Sequence, residues 1–152
     1  LADSRHGLAG FPSVIFKMNG SELAASTGLS ATGISTVSKA AVDLARRNGR
    51  LVFVTLAEPG ILGASPDGET DHVLAYPVHG EIDIVGAGDS VTANLTAALA
   101  AKATMREALE LANAAASVVI HQLGTTGTAS VPQLKQILLQ QNPQLTSALP
   151  TP

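Results

Sequence analysis

One short turn constrains the fold of this chain more than any other feature. Residues 83–90 read Asp-Ile-Val-Gly-Ala-Gly-Asp-Ser, and a long alanine-rich segment follows them. We expect a strand to run into the two glycines and a helix to leave them. Glycines let the backbone approach a ligand closely, and free N–H groups at a helix start attract anions such as phosphate. Asp89 would add negative charge beside such an anion, which indicates a base that accepts a proton from a hydroxyl nucleophile.

The same turn allows a simpler interpretation. Asp89 can be an ordinary acid in the first turn of a helix, with the glycines forming a tight loop, because short Gly-x-Gly patterns are weak evidence of function. Two familiar phosphate motifs do not fit. No lysine follows Gly88, as a Walker A loop requires, and a dinucleotide fingerprint needs a third glycine where Val91 stands.

Hydrophobic periodicity predicts a chain of alternating strands and helices. A strand, an amphipathic helix and a second strand in succession favour parallel pairing through a right-handed crossover. Asn19 and Thr104 each precede a glutamate by three residues, the pattern of a capping box at a helix start. The predicted elements are strands at 13–17 and 51–56, a hairpin over 61–76 with a polar turn at 66–69, and helices at 19–28, 34–48, 89–101, 105–122 and 132–141.

Composition narrows the possible functions. A hydrophobic content of 45% with 14% charged residues describes a globular protein, and 3% aromatic residues points to an aliphatic α/β core. A net charge of −3 gives no electrostatic case for nucleic acid or an anionic membrane. The absence of cysteine excludes disulfides and thiolate metal sites, and His72 and His79 lack a second ligand at a recognisable spacing. We expect a soluble, cytoplasmic unit over residues 1–141 and a loose polar tail over 142–152.

The turn also resembles a known family signature. Asp-x-x-Gly-Ala-Gly-Asp-Ser before a small-residue helix is similar to the C-terminal signature of the ribokinase-like (PfkB) sugar kinases. The part from Ala112 through Leu123-Gly124-Thr125 most resembles the heptose 7-phosphate kinase branch. Other stretches that recur in the family in this order are Ala2-Asp3-Ser4-Arg5, Asn19-Gly20-Ser21-Glu22, Val54-Thr55-Leu56-Ala57 and Ala112-Asn113-Ala114-Ala115-Ala116.

This resemblance covers about residues 1 to 135 and implies a three-layer α/β/α fold with a mostly parallel sheet. Family members are longer, and the chain matches only their C-terminal half. It begins at Leu1 without an initiator methionine, in a stretch that resembles the tail of a strand. We therefore expect a fragment that lacks the sugar-binding and lid portion, which would associate with that half or with a second copy.

The resemblance implies phosphoryl transfer from ATP to a sugar hydroxyl. Asp89 would be the catalytic base, and the amides of Gly86, Ala87 and Gly88 would hold the phosphates. Asn19 and Glu22 would organise phosphate and magnesium, although an ordinary capping box explains the same pair equally well.

The same resemblance implies further roles, and for each residue a purely structural role is an alternative. Thr55 would contact ATP, although threonine is also a common strand residue. Asn113 would lie beside the adenine, or be a hydrogen-bonded core residue. The loop around Asp83 and Val85 would form a monovalent-cation site, such as one for potassium, with the oxygen-rich loop 124–128, although loop 124–128 can also be a plain turn.

The sequence therefore supports three hypotheses of different classes. The first is the ATP-binding, catalytic half of a sugar kinase, with a heptose 7-phosphate as the favoured substrate. The second is a nucleotide-binding module that is inactive without its missing half or a partner. The third is a homologue with a purely structural role, against which the intact Gly-Ala-Gly-Asp turn argues.

Overall fold

The computed structural model describes residues 1–4, 6–8, 10–29 and 33–141. The tail expected over 142–152 lies outside these residues. In the described chain, the elements in order are β1 (Phe16–Asn19), α1 (Gly20–Thr27), α2 (Ile34–Asn48), β2 (Val52–Thr55), β3 (Ile61–Ala64), β4 (Thr70–Val73), α3 (Ala87–Ala100), α4 (Met105–Val119) and α5 (Val131–Gln141). None of these helices is long and apolar enough to cross a membrane.

The strands form one sheet in the order β1-β2-β3-β4. β1 and β2 are parallel, as predicted, whereas the β2–β3 and β3–β4 pairs are antiparallel. The expectation of a mostly parallel sheet is therefore wrong for these four strands. Only residues 56–60 join β2 to β3, and a parallel pair would need a crossover of a dozen or more residues. On the other side of β1, Ala2 forms a parallel bridge with Phe16, as the strand-like start of the chain led us to expect.

Helices cover both faces of this sheet. Side chains from α1 and α2, including Leu23 and Ala41, pack with Val52 and Val54 in one buried cluster. On the opposite face, Phe53 packs with residues of α3 and α4 in a second cluster. Successive residues of β2 therefore point to opposite faces, as a pleated strand requires. The predicted three-layer α/β/α arrangement is present.

Several element boundaries differ from those predicted. β1 lies at 16–19 instead of 13–17, because its pairing register is set by β2, with Phe16 opposite Val52. No strand forms in residues 81–86, so the predicted strand that enters the glycine turn is wrong. α3 begins at Ala87, two residues early, after Gly86 in a left-handed conformation. α4 ends at Val119 instead of Gln122.

Both predicted capping boxes are present, and Gly28 and Gly49 end α1 and α2 in left-handed conformations. At the start of α4, the Thr104 backbone N–H donates to the Glu107 carboxylate at 2.7 Å. This backbone bond, together with one from the Thr104 hydroxyl, lowers the pKa of Glu107. Local side-chain chemistry therefore fixes the N-termini of these helices as the sequence indicated.

Ala57, in the turn between β2 and β3, is exposed and has φ 56°. A Cβ is disfavoured in this left-handed region, so Ala57→Gly should raise the free energy of unfolding by roughly 0.5–1 kcal/mol. Urea denaturation followed by circular dichroism measures the change. Ala101→Gly is the control, because Ala101 is exposed and has φ −80°. Glycine there only increases the backbone entropy of the unfolded chain, so it should lower stability. A stability loss in Ala57→Gly would contradict the prediction.

Candidate active site

The site begins at the carboxyl ends of β1 and β2, where ligands bind in open α/β sheets. Asn19 pairs with Thr55 at this edge, so the structure brings these two predicted residues together. The Thr55 hydroxyl donates to the Met18 carbonyl at 3.4 Å, which links the two strand ends. Alternation along the strands places Lys17, Phe53 and Thr55 on the face that α3 and α4 cover.

Asn19 and Glu22 form the capping box of α1. Asn19 Oδ1 accepts from the Glu22 N–H at 2.8 Å, and Glu22 Oε2 accepts from the Asn19 N–H at 2.7 Å. A carboxylate has further acceptor sites after one such bond, so the capping role and a ligand role are compatible. In the described ranges no three His, Asp or Glu side chains cluster around a metal position. A magnesium ion beside Glu22 would therefore take most of its oxygen ligands from phosphates and water, as this ion commonly does.

The glycine turn forms the N-terminus of α3. Gly86, at φ 84°, is its N-cap, and Asp89 lies exposed in the first turn. The Ala87 N–H donates to the Ile84 carbonyl at 3.2 Å. Among the described residues, the N–H groups of Gly88 and Asp89 have no acceptor within the chain. These two amides and the positive end of the helix dipole are available to an anion.

The loop 124–128 closes over this turn. A Cβ on Gly86 would lie 2.3 Å from the Thr126 carbonyl oxygen, so the two backbones are in close contact. The Gln122 side chain holds the loop closed, since its Nε2 donates to the Thr128 carbonyl at 2.7 Å and its Oε1 accepts from the Thr128 N–H at 3.0 Å. Gln122 was not among the predicted site residues, and its sequence position gave no signal for this role.

Asp83 joins the two loops that the sequence analysis paired. Its Oδ1 accepts from the Val85 N–H at 3.0 Å, and its Oδ2 accepts from the Gly124 N–H at 3.2 Å. These bonds hold the turn at Val85 beside loop 124–128, whose Thr125, Thr126 and Thr128 carry hydroxyl oxygens. Such a donor set suits a hard cation such as potassium.

Asn113 lies on α4 and contacts Leu74, which follows the end of β4 at the sheet edge where Thr55 ends β2. It is buried, and its Nδ2 donates to the Leu74 carbonyl at 2.8 Å. The hydrogen-bonded core interpretation of Asn113 is therefore confirmed, while the adenine contact stays a prediction. Tyr76, two residues beyond Leu74, is half-buried; this burial raises the pKa of Tyr76, and the nearby Glu110 carboxylate raises it further.

The structure adds a polar cluster that the sequence analysis missed. Lys17 is only 5% exposed, and its Nζ lies 2.8 Å from Oδ2 of Asp3. The Thr92 hydroxyl donates to the same oxygen at 2.9 Å. A signal was present in the sequence, because Lys17 interrupts the apolar run Val14-Ile15-Phe16, and a charge within a buried strand needs a partner.

The sequence model of the pfkB family carbohydrate kinases matches residues 12–132. The chain belongs to this family. Relatives include the bifunctional proteins HldE of Bradyrhizobium sp. (strain ORS 278), 42% identical over 87 residues, and of Gluconobacter oxydans (strain 621H), 34% identical over 124 residues. These alignments cover 57% and 82% of this chain but only 18% and 26% of the relatives.

Solved structures agree with this assignment. Escherichia coli phosphofructokinase-2 in complex with substrates and products aligns with a TM-score of 0.73 and 29% identity. Arabidopsis thaliana ribokinase complexed with ribose and ATP aligns with a TM-score of 0.74 and 25% identity. These two alignments cover 83% and 82% of this chain, respectively, and 40% of each solved chain. The ribokinase-like fold class and the family resemblance are confirmed, and the chain spans well under half of these proteins.

Proposed function

We propose that this chain is the ATP-binding, catalytic part of a sugar kinase. One observation carries the proposal. The first turn of α3 presents the exposed carboxylate of Asp89 and two backbone amides that have no acceptor among the described residues. This turn lies against β1, whose carboxyl end carries Asn19 beside Thr55. An anion cradle, a carboxylate and a strand edge together are what phosphoryl transfer to an alcohol requires.

In this reaction Asp89 accepts the proton of a sugar hydroxyl as that oxygen attacks the γ-phosphorus of ATP. A new O–P bond forms, the bond to the β,γ-bridging oxygen breaks, and ADP leaves with the electron pair of that bond. The amides of Gly88 and Asp89 donate to the phosphate oxygens, whereas the predicted Ala87 amide already donates to the Ile84 carbonyl. Fixed donors of this kind stabilise charge that develops in the transition state.

The remaining site residues hold the nucleotide and its ions. Asn19 and Glu22 would hold magnesium, and this ion when bound would neutralise phosphate charge. Thr55 and Asn113 contact the nucleotide, the latter beside the adenine. The carbonyls of Asp83 and Val85 together with loop 124–128 hold potassium. Related solved structures in complex with ATP and with potassium support the choice of these two ligands.

We propose that the sugar-binding part lies outside the 152 residues. The chain aligns with 40% of each related structure, and Ala2 forms an isolated parallel bridge with Phe16 on the free side of β1, which supports this proposal. Resemblance of the stretch from Ala112 to Thr125 and the HldE relatives favour a heptose 7-phosphate as acceptor. Either the other half or a second copy would complete the site.

The alternative is a nucleotide-binding module with no activity of its own. The small share of each relative that the chain spans favours it. Adding the N-terminal half of a relative in trans separates the two possibilities. Turnover by the chain alone would exclude the alternative, and turnover only in the mixture would establish it.

We expect the chain to bind magnesium-ATP saturably, and more tightly with potassium present than with sodium. Both effects follow from phosphate contacts at α3 and an oxygen-lined cation site beside them. Calorimetric titration in matched potassium and sodium buffers measures the affinities, and circular dichroism verifies that the chain is folded. A folded chain that does not bind magnesium-ATP would contradict the proposed function.

A further inference from the structure

We propose that Asp3, Lys17 and Thr92 are positioning residues that hold the first turn of α3, and with it Asp89, against β1. The proposal rests on the function proposed above, and it adds residues that do not themselves touch the reacting atoms. Its basis is a single carboxylate oxygen, Asp3 Oδ2, which accepts hydrogen bonds from both the Lys17 ammonium and the Thr92 hydroxyl.

This network joins three separate pieces of the chain. Asp3 belongs to the N-terminal segment, which is fixed to β1 because Lys17 N–H donates to the Ala2 carbonyl at 2.8 Å. Lys17 lies within β1, and Thr92 lies on α3, one helical turn after Gly88. A Cβ on Gly88 would lie 3.2 Å from Lys17 Nζ, so the ammonium reaches the first turn of α3 itself.

The Thr92 hydroxyl has one proton and two acceptors within reach. Asp3 Oδ2 lies at 2.9 Å and the Gly88 carbonyl at 3.0 Å. A charged acceptor makes the stronger hydrogen bond, so the proton favours the Asp3 carboxylate. The bond therefore runs from α3 to the sheet instead of staying within the helix.

Hydrophobic packing secures the rest of α3 but not this turn. The buried residues of the helix are Val91, Leu95 and Ala98, all beyond the first turn. Lys17 is buried, whereas the Asp3 side chain keeps 23% of its exposure. An ion pair of this kind adds little net stability compared with apolar packing, and its better-attested use is to fix one arrangement. Here the arrangement it fixes is the distance between Asp89 and the edge of β1, where substrate phosphates would lie.

Thr92→Val in this chain tests the proposal, with Thr92→Ser and Thr96→Val as controls. Thr96 makes the same kind of bond to the carbonyl four residues back, Thr92 O at 2.7 Å, but it is exposed, and within the described part of the chain its hydroxyl has no partner outside α3. The readouts are hydrogen exchange of the Ser90 amide, which donates to the Gly86 carbonyl, exchange of the α4 amides, and magnesium-ATP affinity.

We expect Thr92→Val to speed Ser90 exchange roughly tenfold and to weaken magnesium-ATP binding by a similar factor, with α4 exchange unchanged. Serine should restore both values, and Thr96→Val should change neither. Three results would each overturn the proposal. Ser90 exchange could be unchanged in Thr92→Val, or Thr96→Val could speed it equally. In the third, Thr92→Val speeds Ser90 exchange but leaves the magnesium-ATP affinity unaltered. If the parent chain does not bind magnesium-ATP, the proposed function fails, and Ser90 exchange alone decides whether the network holds the turn.

Discussion

Asp89→Asn is expected to abolish phosphoryl transfer while magnesium-ATP binding is kept. Asparagine has almost the same shape and preserves the amides of the turn, but it cannot accept a proton from the sugar hydroxyl. Loss of a general base reduces turnover by about 10²–10⁴-fold. Removing one negative charge beside the phosphates should leave ATP affinity equal or slightly higher. Coupled assay of ADP release, with the sugar-binding half supplied where the chain needs it, measures turnover, and calorimetry measures binding.

Glu107→Gln is the matched control for Asp89→Asn. Glu107 and Asp89 both occupy the third position after the N-cap of a long helix, at Thr104 and Gly86 respectively. An acid in a first turn interacts with the helix dipole by about 0.3–1 kcal/mol. If Asp89 were only such an acid, both variants would lower stability slightly and neither would reduce turnover. Near-normal turnover in Asp89→Asn would therefore establish the ordinary first-turn role and eliminate the catalytic one.

The sequence predicted best those elements whose ends carry local chemistry. α1 begins at the Asn19–Glu22 capping box and α4 at the Thr104–Glu107 box, as expected. Their bonds form between residues three apart, so they depend little on the rest of the fold. The parallel pairing of β1 with β2 was predictable for a related reason, because the helical connection formed by α1 and α2 joins them.

The errors lie where distant residues decide the local conformation. Residues 81–86 have the apolar character of a strand, yet Asp83 N–H donates to the Ile120 carbonyl, and the segment makes no sheet pairing. The register of β1 is likewise set by β2, which follows it in sequence by more than thirty residues. Periodicity within one segment contains no information about these contacts.

In the candidate site, too, some neighbours could be predicted from the sequence and others depend on distant residues. The loop around Asp83 and loop 124–128 were expected to be neighbours, and the structure brings them together. Asn19 and Thr55 were predicted separately, and the pairing of β1 with β2 places them side by side. The network around Asp3 was missed because Thr92 and Asp3 are 89 residues apart in sequence. A lysine inside an apolar strand indicated only that some anion had to lie near it, and its identity depends on the tertiary fold.

Gly86→Ala is expected to reduce the free energy of unfolding by about 2–4 kcal/mol and to remove measurable ATP binding. Two separate effects add at this position. The backbone has φ 84°, a region that disfavours a Cβ, and the added methyl would lie 2.3 Å from the Thr126 carbonyl oxygen. That oxygen belongs to the backbone, so no change of side chain at Thr126 can relieve the clash. Either loop 124–128 or the start of α3 must move.

Gly80→Ala separates these two effects. Gly80 has a similar φ of 77°, but a Cβ there would meet no atom within 4 Å. Gly80→Ala should therefore lower the free energy of unfolding by only about 1 kcal/mol, because alanine disfavours the left-handed backbone conformation. The ATP affinity should be unchanged. Urea denaturation and calorimetric titration of both variants give the two quantities. If both glycines tolerate alanine equally, loop 124–128 is not packed on the glycine turn in solution, and the potassium site proposed between them loses its structural basis. A larger loss of stability at Gly86, together with the loss of ATP binding, would instead show that the close backbone contact with loop 124–128 supports the phosphate turn.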